Sequence, residues 1–82
     1  MAYGELDEVL RAIGYYEQAL VIDREIEDRR GEGADLANMG MAYKQLGDRN
    51  RARDLWQQTL AIFEAIEDPT AALVREWLEG LE

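Results

Sequence analysis

Carboxylates are the most abundant reactive groups of this chain. Glu5, Asp7 and Glu8; Glu25, Glu27 and Asp28; Glu64, Glu67 and Asp68; and Glu76, Glu79 and Glu82 make four acidic groups along 82 residues. Paired acids can drive hydrolysis by general acid–base catalysis, or hold a divalent cation through oxygen ligands. Solvated helix surface outweighs both readings, and an acid-pair hydrolase would need a cleft that two thin helical layers hardly offer. No twelve-residue calcium loop is present, and most of the acids fall at the ends or on the polar faces of predicted helices, where charge keeps a helix solvated. Histidine and cysteine are absent. That removes the commonest general base, the commonest metal ligand and any thiolate nucleophile. The "GEG" at 31–33 lacks the strand, lysine and spacing of a phosphate-binding loop. Tyr15 and Tyr16 could donate protons, but stacking in the wedge between helix pairs is the expected role of both. No catalytic residue, metal ligand or cofactor is expected, and no enzymatic activity.

The bulk charge narrows the partners. Eighteen acidic and nine basic residues give a formal net charge of −9. Such a field repels nucleic-acid phosphates and anionic lipid surfaces alike, so neither nucleic acid nor membrane is an expected partner. The N-terminus, "MAYGELDEVL", has no signal-peptide core, and the longest apolar run, Ala19-Leu20-Val21-Ile22, is far too short to span a bilayer. A soluble, cytoplasmic protein is the expectation. With 48% hydrophobic residues and one proline, the composition is that of one small folded domain.

Any candidate binding residue has to be held by the elements around it, and those elements repeat. Residues 2–28 align without a gap on 42–68, at an offset of forty. The identities are Ala2/Ala42, Tyr3/Tyr43, Leu6/Leu46, Arg11/Arg51, Ala12/Ala52, Gln18/Gln58, Leu20/Leu60, Ile22/Ile62, Ile26/Ile66, Glu27/Glu67 and Asp28/Asp68. A period of this length marks stacked supersecondary units, each too small to bury its own apolar face. In 49–67, Ala52, Leu55, Trp56, Thr59, Leu60, Phe63 and Ile66 recur at spacings of three and four, one apolar stripe of a helix. The equivalent stripe in 9–28 is Ala12, Ile13, Tyr16, Ala19, Leu20, Asp23 and Ile26. Residues 34–46 carry Leu36, Met39, Gly40, Tyr43 and Leu46, and the last segment carries Val74, Trp77, Leu78 and Leu81. "RRGEG" at 29–33 reads as a glycine stop, "LGDRN" at 46–50 as a tight turn. "EDPT" at 67–70 reads as a stop and a new start, with Asp68 as cap and Pro69 in the first helical position.

Helix pairs with this pattern resemble tetratricopeptide repeats, in the longer variety of about forty residues found in kinesin light chains and many bacterial proteins. The resemblance rests on one complete unit at 33–64. Gly40 matches the small residue that lets helices approach closely, Tyr43 the aromatic near the end of helix A, and Gly47-Asp48 the turn. Ala52 and Trp56 match the small and aromatic positions of helix B, while Leu36 replaces a common tryptophan and Thr59 a usual alanine. The resemblance implies a concave groove lined by helices A. Carried onto this chain, its partner-binding positions are Ala34, Ala37, Asn38, Met41, Lys44 and Gln45. Asn38 resembles the asparagine that bonds a bound peptide's backbone. Ala34 stands where a clamp for acidic chaperone tails would have lysine, so that ligand is not expected.

The first unit departs from the pattern. Met1 enters where Ala2 and Tyr3 match the end of a helix A, and Asp7 replaces the turn glycine. One helix is therefore predicted from about Glu5 to Asp28 with no turn at 7–8, about 36 Å long. Its face carrying Val9, Ile13, Tyr16 and Leu20 is expected to lack cover and to drive self-association, as a homodimer or higher oligomer, by exchange of elements between chains.

The expected fold is all-α: antiparallel helix-turn-helix repeats forming an α-solenoid fragment, with a long first helix and a C-terminal capping helix. Residues 1–30 form a truncated first repeat, 31–68 the complete repeat, and 69–82 a capping or partial third-repeat helix. The expected function is non-catalytic binding of a protein or peptide in a concave helical groove. The alternative is a structural self-assembly unit.

Overall fold

A computed structural model describes residues 2–81; Met1 and the last of the acids noted above, Glu82, lie outside the described residues. Four helices follow one another: α1 (Tyr3–Glu25), α2 (Arg29–Gln45), α3 (Arg49–Ala65) and α4 (Thr70–Gly80). No strand occurs among the described residues. The long first helix is present and passes straight through 7–8. It starts two residues earlier than expected and ends three earlier.

The earlier end has a local cause. Each of the three inter-helix turns uses the same device: a backbone in the left-handed region, followed by an aspartate. The left-handed residues are Glu27 (φ 59°), Gly47 (φ 84°) and Glu67 (φ 57°). After each, the aspartate N–H returns to the preceding helix, Asp28 to Asp23 O at 2.8 Å, Asp48 to Tyr43 O at 2.9 Å and Asp68 to Phe63 O at 2.8 Å. This satisfies carbonyls that a helix end leaves open. The aspartate side chain then starts the next helix. Asp28 Oδ1 accepts from the Gly31 N–H at 2.9 Å, Asp48 Oδ1 from Arg51 N–H at 3.1 Å, and Asp68 Oδ1 from Thr70 N–H at 2.8 Å. The glycine stop expected at 29–33 is thus not a stop. Asp28 caps there, and the glycines lie in the opening turns of α2.

The helices pack only on their sequence neighbours, α1 on α2, α2 on α3 and α3 on α4. Paired positions run in opposite directions, so each pair is antiparallel. Gly40 lies against Trp56, while Gly33, seven residues earlier, lies against Ile62 and Phe63. The result is an open slab of 39 × 31 × 16 Å. Its core is one contiguous cluster including Ile13, Leu20, Leu36, Ala52, Trp56, Phe63 and Val74. Trp56 joins two pairs: its Nε1–H donates to the Ala37 carbonyl at 3.0 Å, and its ring stands 5.4 Å from that of Trp77 on α4. Thr59, fully covered, turns its hydroxyl back to the Leu55 carbonyl at 2.9 Å.

Two expectations about α1 need correction. Tyr16 packs against the core, but Tyr15 is 71% exposed and stacks on no ring among the described residues. Nor does the Val9, Ile13, Tyr16 and Leu20 face stand uncovered. Ile13 and Leu20 are buried, with Val9 and Tyr16 packed beside them, because α2 folds back along this face.

Candidate functional site

An open groove runs between α1 and α2, which pack against each other. Ile13 and Leu20 of α1 point into the core, while Val9, Ala12 and Tyr16 wall its outer side. From α2, Asn38, Met41, Ala42 and Gln45 form the opposite wall, and Glu8 closes one end. The space is about 320 Å³, at the small end for a binding pocket, and open to solvent. Val9, Ala12, Met41 and Ala42 give it an apolar lining, and its polar groups are two amides, one carboxylate and the Tyr16 hydroxyl.

Of the six positions implied by the resemblance, Asn38, Met41 and Gln45 line this groove. Ala34 and Lys44 are exposed on α2 outside the groove lining. Ala37 is buried, and its carbonyl is the acceptor for Trp56. The sequence reading did not identify the opposite wall. Val9 and Tyr16 were legible as part of an apolar stripe, but which side of that stripe borders a groove depends on how α2 lies along it.

A second polar cluster holds the α1–α2 turn. Glu32 is buried and receives two guanidinium groups, Arg24 Nε at 3.1 Å and Arg29 Nη1 at 2.8 Å. Nearby, the Asp35 carboxyl stands beside the Asp23 side chain, to which it donates a hydrogen bond when protonated, and Asp23 Oδ2 is buried with no other donor. Burial, first, then that hydrogen bond and the charges of Asp23 and Asp28 push the Asp35 carboxyl up to about 6. At the far turn, Arg30 Nε reaches back to Asp68 Oδ2 at 3.1 Å. Hydrogen bonds from Thr70, and then the Arg30 charge, hold the Asp68 carboxyl below its ordinary range. These clusters fasten turns. Among the described residues, no group of three or more acidic side chains is placed to hold a metal ion, and no helix is long and apolar enough to cross a membrane.

A family model described as tetratricopeptide repeat matches residues 1–78. No curated protein and no solved structure matches the chain.

Proposed function

Because the chain belongs to the tetratricopeptide repeat family, whose members are protein–protein interaction modules, we propose that it is a non-catalytic module binding a peptide or partner helix between α1 and α2. The observation that carries this reading is the facing of Asn38, Met41 and Gln45 by Val9, Ala12 and Tyr16 across one open groove. Asn38 has a donor and an acceptor to offer an extended peptide backbone. Met41 is an adaptable apolar contact beside Val9, Ala12 and Tyr16. Glu8 and the net charge of −9 favour a ligand with basic residues. Residues 31–68 act as the complete repeat in this reading, with 1–30 a truncated unit, 69–82 a cap, and a cytoplasmic setting.

The test is selection of peptides from a displayed library, followed by calorimetry with the best binder. Asn38→Ala and Met41→Ala each weaken binding about tenfold or more, while Asp54→Ala on α3 leaves it unchanged. Binding that survives both groove substitutions rules the groove out.

The second reading is self-assembly. Exposed Tyr15, Ile22 and Ile26 on α1 favour it. The Val9, Ile13, Tyr16 and Leu20 face would take part only by exchange of α1 between chains, since α2 already covers it.

A further inference from the structure

The forty-residue echo allows two inter-helix joints to be compared place by place. Where α3 turns into α4, Phe63 and Ala71 are buried in the core and Arg75 bonds Glu64 at 2.6 Å. Where α1 turns into α2, the same places are taken by Asp23, Gly31, Asp35 and Arg24. The later joint is apolar and closed by an ion pair. The earlier one sets a carboxyl of α1 beside a carboxyl of α2.

The acids of this joint crowd one spot. A Cβ at Gly31 would strike the Asp28 carboxylate and stand 3.0 Å from Asp23 Oδ1. Asp23 Oδ2 is buried without a partner, a costly state for an oxygen that water would otherwise solvate. Among the described residues no cation bonds Asp23 or Asp35. Arg24 and Arg29 are both held by Glu32, and Arg30 by Asp68. Asp28 caps Gly31 and adds a third negative charge, while Glu27 in the same turn is exposed. From the other side, α3 meets this end of α2 at Gly33 with Ile62 and Phe63, which carry no charge. The donor that Asp23 lacks is a proton on Asp35.

We infer that the α1–α2 joint is a pH-sensitive hinge, fastened while Asp35 shares a proton with Asp23 and loosened when that proton leaves to water. Burial, then the Asp23 carboxyl and the charges of Asp23 and Asp28, raise Asp35 to about 6. The proton is therefore held in mildly acidic solution and given up towards neutrality. Two carboxylates then face each other across the joint, and like charges at that distance repel. The joint at 63–75 has no such pair, since Phe63 and Arg75 stand in those places. One joint responds to pH and its copy does not. In stacked repeats a small rotation between neighbours sets the curvature of the binding surface. A hinge at this joint changes the angle between α1 and α2 without unfolding either. It does not depend on the groove reading, because it is measured with no ligand present.

Carboxyl titration by nuclear magnetic resonance and amide hydrogen exchange test it together. Asp35 is expected to titrate near pH 6 in the unaltered chain. In Asp23→Asn, whose side-chain amide offers Asp35 a donor, the midpoint falls towards the ordinary range near 4. The amides of Asp28 and Asp68 make the same bond in the two joints, to Asp23 O and Phe63 O, each at 2.8 Å. From pH 5 to 7, opening at Asp28, corrected for intrinsic exchange, rises about tenfold, while opening at Asp68 stays level. Asp35→Asn makes opening at Asp28 level as well. An Asp35 midpoint near 4 in the unaltered chain overturns the inference. So does a midpoint that Asp23→Asn leaves in place, or an equal rise at Asp28 and Asp68, which marks loosening of the whole chain instead of one joint.

Discussion

Gly40 lies flush against the indole of Trp56, so that any Cβ at Gly40 would collide with Nε1 and Cδ1 of that ring. The same indole donates to the carbonyl of Ala37, three residues back along α2. A hydrogen bond and a missing side chain thus act together to bring α2 and α3 close. The indole cannot retreat without breaking its bond.

Gly40→Ala should therefore destabilise the chain by about 1–3 kcal/mol, the usual cost of forcing atoms into a packed core. Gly14→Ala is the matched control. Its Cβ would meet nothing within 4 Å, and exchanging glycine for alanine inside a helix gains about 1 kcal/mol. Urea unfolding of both variants measures the difference. Equal effects would mean that the Gly40–Trp56 contact has no energetic weight.

The turn at Gly47 needs a left-handed backbone, which glycine adopts freely and other residues adopt at a cost. Gly47→Ala should lose about 1 kcal/mol. Glu67 takes the same conformation with a side chain, and Glu67→Gly should gain or lose no more than about 0.5 kcal/mol, since relief of strain is offset by greater freedom of the unfolded chain. Shifts in the urea midpoint at constant slope would verify both values.

Asp35 makes stability depend on pH in an unusual direction for a carboxylate. Its folded value, raised to about 6, exceeds the ordinary unfolded value near 4. The folded chain then binds the proton more tightly, so this contribution is fully present below about pH 4 and is lost as pH rises to about 6. Asp35→Asn keeps a donor for Asp23 and removes the charge. It should stabilise the chain at pH 7 by about 1 kcal/mol, after allowance for partial exposure, and flatten the pH 4–6 segment of the stability curve. Parallel curves for variant and parent would refute the assignment.

Asp68 behaves oppositely. Thr70 and Arg30 lower its value, so its contribution is present above the unfolded value and disappears as pH falls through the folded one. Asp68→Asn should lower the melting temperature at pH 7 and have little effect at pH 2, where both chains carry a neutral group. A variant that melts with the parent at pH 7 would show that the Asp68 cap does not hold the start of α4.

Much of this molecule was legible in the order of its residues. Spacings of three and four set the helices, and the echo at forty set the repeat. Asp7 in place of Gly47 was enough to foresee a straight α1, because without a residue suited to the left-handed turn the helix has no reason to stop. The end of α1 was misread for the same kind of reason. Glu27 holds the left-handed position by virtue of Asp28 and the carbonyls behind it, and glutamate by itself carries no such signal. The covering of α1 was decided only in three dimensions. The sequence shows that Val9, Ile13, Tyr16 and Leu20 lie on one face, but which apolar face α2 covers depends on the angle at which the chain leaves the 26–28 turn. That angle put Ile13 and Leu20 inside and left Tyr15, Ile22 and Ile26 outside. Periodicity records that a face is apolar; the path of the neighbouring helix determines whether that face meets the core, a groove or solvent.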